Sequence, residues 1–429
     1  MTAVKIVDVR TAVVEANYDW TFIHVYADTG QVGLGESFLA PGLTGIIRDL
    51  RPLLIGEDPR NIERLWSKMR WAASGAGSMG GIVYNAISGI EAALWDLAGK
   101  LYGVPIYALL GGKYRDRVRI YADCHAGESL EALTPILLAR RPSWLTEEGV
   151  EAMSAASEIE HPVHGRAHGI PMPDGAFTPE VYARRAREVA ARGFTALKFD
   201  LDVPNPFTQD SQSGTLTHAE VQYMTSLAAA VRAAVGATVD IAFDCHWRYN
   251  VSDAQRLAYE LEPFGLLWLE DPVPPENVDA LRRVTQSTRT PIASGENYYM
   301  RYGCREALET GAVDIIAPDL QKTGGLLEGR KIADLADTHY VAVAPHCIAS
   351  PIGAIASAHV AAAIPNFLAL EWHGMSVPFW DDMVIGLDGP VIRDGFIAVP
   401  DGPGLGVELN ESVARRYAKA GEGWFEEGD

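Results

Sequence analysis

Three acidic stretches decide the fold: Phe243-Asp244-Cys245-His246, Trp268-Leu269-Glu270-Asp271-Pro272 and Ala293-Ser294-Gly295-Glu296-Asn297. Asp244, Glu270 and Glu296 stand at equal intervals of 26 residues, the length of one strand-plus-helix unit. Each closes an apolar run of strand-like composition, at 239–243, 266–269 and 291–293. In a (β/α)8 barrel such positions lie at the C-terminal ends of adjacent parallel strands, where that fold builds its sites. Three carboxylates converging there repel one another unless a cation lies between them, and all-oxygen ligation suits a hard octahedral ion such as Mg2+. The same rhythm runs on: Asp319, His346 and Glu371 end apolar runs at further intervals of 23, 27 and 25 residues. Upstream, Ala196-Leu197-Lys198-Phe199-Asp200 reads as an earlier strand with its own charged end.

Working outward, the 429 residues suit a barrel of about 250 residues plus a second module. With 36 basic and 56 acidic side chains the formal charge is −20, which argues against nucleic acid or an anionic membrane surface as partner. Cys124, Cys245, Cys304 and Cys347 show no paired metal spacing, and their scarcity fits a reducing compartment. Neither a signal peptide nor a membrane-spanning run is legible, so the expectation is a soluble, cytoplasmic protein.

Residues 4–37 alternate like strands, with Asp28-Thr29-Gly30 as a hairpin turn, and helical patterns follow near 43–54, 60–70 and 81–102. This is an α+β module, 1–117, ahead of the barrel. Two loops of small and aromatic residues, 16–20 and 71–81, lie between its elements; the second has the glycine content of a flap or of a plain connector. The barrel, 118–385, starts at Val118-Arg119-Ile120-Tyr121-Ala122-Asp123. Residues 126–178 read as an insertion in its first βα loop. The histidines of 161–169 have glycine and proline between them and no cysteine partner, which favours a polar surface excursion over zinc. A second excursion at 203–210 adds to a lid over a small polar substrate. The tail, 386–429, is hairpin-like and is expected to return to the first module.

These residues together resemble the enolase superfamily, in its mandelate-racemase-like branch, over essentially the whole length. The resemblance is carried by Ala93-Leu94-Trp95-Asp96 with Gly99-Lys100, by Lys198-Phe199-Asp200 and by the Asp244, Glu270, Glu296 ladder. Pro318-Asp319-Leu320, Gly324-Gly325 and the stretch 400–406 complete it. It implies a modified TIM-like (β/α)8-type barrel of the α/β class with an N-terminal α+β capping domain. It also implies removal of the proton α to a carboxylate, Mg2+ held by Asp244, Glu270 and Glu296 stabilising the enediolate, and a homo-oligomer, dimer or octamer. Such a proton is barely acidic, and each 1.36 kcal/mol of added stabilisation is worth about tenfold in rate.

A lone histidine in an apolar run is ordinarily a satisfied core residue, but Asp319 ends the strand before His346, and the two can form a base dyad. Glu371 resembles the family's acid that hydrogen-bonds a substrate carboxylate oxygen by sharing a proton. Many relatives carry Lys-x-Lys on the second strand, the second lysine acting on the face opposite the histidine. Here Asp200 takes that place, which weakens a racemase reading, and Lys198 remains as positive charge near the substrate or as partner of Asp200. His246 follows Asp244 by two residues, and extended geometry puts both on one face. Asp-x-His resembles the galactonate- and gluconate-type dehydratases, in which that histidine protonates the departing 3-hydroxyl. His125, Arg248, Tyr298 and Trp20 are softer candidates for sugar hydroxyls. The expectation is a dehydratase of an acid sugar, yielding a 2-keto-3-deoxy acid. Its rivals are a racemase, epimerase or cycloisomerase, and a non-catalytic scaffold.

Overall fold

The computed structural model describes residues 4–125, 135, 140, 142–145, 177–210 and 213–426. The candidate insertion at 126–178 and its histidines at 161–168 therefore lie mostly outside the described residues. Of that stretch, Arg140 pairs with Glu15 and Asp19 of the N-terminal module, and the Trp144 indole N–H donates to the Glu15 carbonyl.

Strands β1 (Ile6–Glu15), β2 (Asp19–Ala27) and β3 (Val32–Ser37) form an antiparallel sheet. Helices α1 (Leu43–Leu50), α2 (Ile62–Gly75) and α3 (Ile82–Tyr102) follow. Because α2 runs on to Gly75, the loop expected from 71 begins only after the helix ends. The sheet lies directly on α3, and only glycine permits that approach: a Cβ at Gly35 would stand 2.3 Å from the Gly89 carbonyl oxygen.

The barrel strands are β4 (Arg117–Asp123), β5 (Ala196–Asp200), β6 (Asp240–Asp244), β7 (Trp268–Glu270), β8 (Ile292–Ser294), β9 (Ile315–Ile316), β10 (Ala342–Val343) and β11 (Leu370–Trp372). They are all parallel, with a helix between each successive pair, from Pro179–Ala191 to Pro351–Ala363. Thr178, Thr217, Asn250, Asn277 and Ser350 start five of these helices by accepting a backbone N–H at the first turn. The ladder runs from β10 through β4 to β11; among the described residues β10 meets the chain leading into β11 only at the isolated Val343–Phe367 bridge, so the ring is not closed by a regular ladder. Eight buried residues, one on or next to each strand, fill the barrel interior, namely Tyr121, Ala196, Ala242, Trp268, Ala293, Ile315, Ala344 and Ala369. Alanine at five of the eight leaves room for the edge-on Tyr121–Trp268 pair, with ring centroids 5.0 Å apart.

The tail does two things where one was expected. Its β12 (Phe396–Ala398) adds antiparallel to the first residues of β4, Arg117–Arg119, so it extends the barrel sheet. Further on, Leu405 N–H donates to Asp96 of α3, and Ala418 and Trp424 bridge to β1.

Buried carboxylates clamp the N-terminal module onto the barrel loops. Glu36 on β3 accepts the Ser350 N–H and hydroxyl and the Gly353 N–H at the start of the helix after β10. Glu91 on α3 accepts the Leu326 and Leu327 N–H groups at the start of the helix after β9. A carboxyl oxygen at a helix N-terminus completes donors that have no partner within the helix.

Two predictions follow from this packing. Gly35→Ala should destabilise by about 1–3 kcal/mol through overpacking, whereas Gly45→Ala, whose added Cβ meets only the Arg48 side chain at 3.9 Å, should stabilise by up to about 1 kcal/mol; thermal melts of the two variants check this. Burial raises Glu91 from 4.5 to about 7. The folded chain then holds a proton that the unfolded chain releases, so this contribution to stability is fully present below pH 4.5 and lost as pH rises through about 7. The wild-type melting temperature should therefore fall more than that of Glu91→Gln between pH 5 and 8; equal falls would refute this.

Candidate active site

Strand periodicity builds the site one layer above the barrel interior. Asp123, Lys198, Asp244, Glu270, His346 and Glu371 each follow by two residues the interior members Tyr121, Ala196, Ala242, Trp268, Ala344 and Ala369. A period of two keeps both members of each pair on the inner face. After β8 the chain departs from that period: Gly295, at φ 153, passes so close to the next strand that a Cβ would stand 2.7 Å from the Ala317 amide nitrogen, and Glu296 comes one residue later.

Lys198 is the centre of this layer and is 2% exposed. Its Nζ lies 2.7 Å from Glu371, 3.1 Å from Asp244, 3.4 Å from Glu270 and 3.5 Å from Asp123. Burial opposes the charged form, but Glu270, Glu371, Asp244 and Asp123 outweigh it and hold the ammonium well above its ordinary pKa. Lys198 thus partners these four carboxylates rather than Asp200. Glu371 Oε1 lies against the Lys198 ammonium as an ion pair, and its Oε2 accepts the Cys347 N–H.

Asp244, Glu270 and Glu296 are buried and bring ligand atoms within 4.8 Å of one another. Trp268 Nε1 donates to Glu270 Oε2 at 2.7 Å, while Glu270 Oε1 is buried with no hydrogen-bond donor among the described residues. Four carboxylates around one ammonium, with Glu296 beside them, leave negative charge in excess. The donor set fits a hard divalent cation.

Two imidazoles flank the trio, each anchored by a carboxylate. His346 Nδ1 is 2.7 Å from Asp319, which turns Nε2 toward Glu296 at 3.4 Å and Glu371 at 3.7 Å. Burial would lower its pKa, but Glu296, Glu371 and Asp319 raise it to about 10. His246 Nδ1 is 2.9 Å from Asp202, and its Nε2 lies 3.7 Å from Asp244. It reaches the cavity by a route that extended geometry does not describe: β6 stops at Asp244, and His246 and Trp247 take left-handed φ values of 41° and 62°. Such residues cost on the order of 1–3 kcal/mol each and persist where surrounding contacts enforce them. Asp244, Asp202 and Asp200 outweigh the burial of His246 and hold it well above its ordinary pKa.

A cavity of about 200 Å3 opens over this layer, lined by Lys198, Asp244, Glu296, His246 and His346. Of the softer candidates it brings in His125, whose ring meets His373 edge-on at 3.7 Å. Trp20 is not brought in: it lies in β2, buried beside Phe379, and Tyr18, just before that strand, lines the cavity instead. Tyr298 is buried outside the lining, and Arg248 lies outside it with Nε 4.0 Å from Asp202. Asp200 is likewise not a lining residue; Asp202, two positions further on, is the carboxylate that meets His246.

Sequence reasoning missed Asp202, His373, Asn297, Lys322 and Phe38. His373 repeats the two-residue step beyond Glu371, so a signal existed. Phe38 and Tyr18 come from the other module, and no spacing within the barrel points to them.

The comparisons with known proteins agree with this architecture. Residues 3–111 match the mandelate racemase / muconate lactonizing enzyme N-terminal domain, and residues 181–413 match the enolase C-terminal domain-like family. The chain is 44% identical over 423 residues to a D-xylonate dehydratase of Haloferax volcanii, covering 99% of this chain and 91% of that protein. It is 30% identical over 413 residues to a D-galactonate dehydratase of Verminephrobacter eiseniae, covering 94% and 92%. Among solved structures, a mandelate racemase/muconate lactonizing enzyme-like protein from Rubrobacter xylanophilus superposes with a TM-score of 0.86 at 42% identity, covering 99% of this chain and all of that one. By sequence in both modules and by overall fold, the chain belongs to the mandelate racemase/muconate lactonizing enzyme family of the enolase superfamily.

Proposed function

We propose that the chain is a Mg2+-dependent dehydratase of an acid sugar, an aldonate of the xylonate, gluconate or galactonate kind. The observation that carries this reading is the pair of carboxylate-anchored imidazoles, His346 on Asp319 and His246 on Asp202, flanking one acidic trio. The similarity to a D-xylonate and a D-galactonate dehydratase supports it.

Asp244, Glu270 and Glu296 would hold the cation, which when bound supplies Lewis-acid stabilisation of negative charge on the substrate carboxylate. Lys198 adds a fixed ammonium to the same end. Asp319 fixes the His346 tautomer and leaves Nε2 to accept the C2 proton. Lowering the negative charge on Glu296 lowers the His346 pKa from about 10 toward the range in which a base works at neutral pH. His246, kept protonated by its carboxylate neighbours, donates its proton to the 3-hydroxyl as the C3–O bond breaks. The proton from C2 and the hydroxyl from C3 leave the substrate as the elements of water, and the enol tautomerises to the 2-keto-3-deoxy acid. Hydroxide is a poor leaving group, so elimination needs such an acid; racemisation needs instead a second base across the substrate. Asp200, in the place of that base, does not line the cavity.

Incubating the protein and Mg2+ with a panel of pentonates and hexonates should release 2-keto acid, trapped with semicarbazide, from one or a few stereoisomers. His346→Asn and His246→Asn should each lower kcat by roughly 10²–10⁴. Proton exchange at C2 in heavy water without keto acid would instead favour the isomerase reading. Dialysis against EDTA should abolish keto acid formation and Mg2+ restore it; activity that survives chelation would remove the metal from the reading.

A further inference from the structure

The cavity holds a second ammonium that the reaction above does not use. Lys322 lies three residues past Asp319, in the loop that the N-terminal module clamps, and is 7% exposed. Its Nζ donates to Asn297 Oδ1 at 2.8 Å and stands 4.7 Å from the centroid of the Phe38 ring. Unlike Lys198, it has no carboxylate within 4.0 Å among the described residues. Lys322 and Asn297 both line the cavity, and Phe38 lies on the same wall as the His346 imidazole, with centroids 6.1 Å apart.

A buried ammonium is costly without a compensating partner. One neutral amide oxygen and a ring face offset part of that cost. An ammonium carries three donors, and this one commits a single donor to Asn297. Because Asn297 Oδ1 is taken by Lys322, its amide N–H groups remain as donors beside the ammonium. The carboxylate end of a substrate has its own partners in Lys198 and the acidic trio, so Lys322 is left for another part of the molecule.

We propose that Lys322 and Asn297 form the subsite for the hydroxylated carbon chain beyond C3, donating to two neighbouring hydroxyl oxygens and so setting which acid sugars are accepted. This rests on the acid-sugar reading above. Neutral hydroxyls fit better than a second carboxylate, because Asp123, Asp244 and Glu296 already line the cavity and repel further negative charge.

The test is calorimetric titration of the Mg2+-loaded wild type, Lys322→Met and Lys322→Gln with a pentonate, a hexonate, a six-carbon diacid and D-glycerate, which lacks carbons beyond C3. Both variants should weaken pentonate and hexonate binding by about ten- to a hundredfold, the worth of hydrogen bonds to a charged donor, and leave D-glycerate within twofold. Unchanged melting temperatures confirm folding, and the variant that melts like wild type carries the comparison. In turnover the loss should appear in KM, with kcat nearly retained. Equal weakening of D-glycerate would place Lys322 at the carboxylate end and overturn the proposal. So would unchanged affinity for the longer acids, binding of none of them, or a diacid that loses more than the monoacids. If the longer acids bind with the expected dependence on Lys322 yet no keto acid forms, the dehydratase reading fails while the subsite stands.

Discussion

A buried ammonium surrounded by four carboxylates is the constraint on which the rest of the site depends. Lys198 draws Asp123, Asp244, Glu270 and Glu371 from four different strands to within 3.5 Å of one nitrogen. Without that charge the carboxylates would repel one another at the end of a barrel whose interior below is apolar. With it they remain net negative, and the excess lies where Glu296 joins Asp244 and Glu270. The same arrangement that keeps the layer folded therefore makes it receptive to a divalent cation and to the carboxylate of a substrate.

The two histidines extend this logic to the proton transfers proposed above. Each is tied at Nδ1 to a carboxylate, which settles its orientation and leaves Nε2 for the cavity. Their settings differ in backbone terms. His346 stands in step with its strand, whereas His246 is swung inward by consecutive left-handed residues. Local strain at His246 is tolerated because Asp202 and the Asp244 carboxylate, which accepts the His246 N–H, hold both ends of the turn.

The N-terminal module is a structural participant in the cavity. Glu36 and Glu91 complete the first turns of the helices that follow β10 and β9, so the loops bearing Asp319, Lys322 and His346 are held from above. Phe38, at the end of β3, reaches between Lys322 and His346, and its N–H donates to the Gln321 carbonyl. The cavity thus sits at a seam between modules, which is why an added Cβ at Gly35 or a charge at Glu91 matters to residues far away in sequence.

Much of this was legible in the chain alone. Evenly spaced polar residues closing apolar runs predict parallel strands with their charged ends together, because a βα unit has a nearly constant length and side chains alternate with a period of two. That periodicity sufficed for Lys198, Asp244, Glu270, His346 and Glu371. What tertiary structure alone decided is where the chain leaves the period or crosses between modules: the left-handed turn at His246, Asp202 as the carboxylate in contact with it, Tyr18 facing the cavity where Trp20 was expected, and Lys322 set on Phe38. Spacing encodes which face a strand residue takes, but loop backbone and contacts between distant segments depend on packing that no local pattern carries.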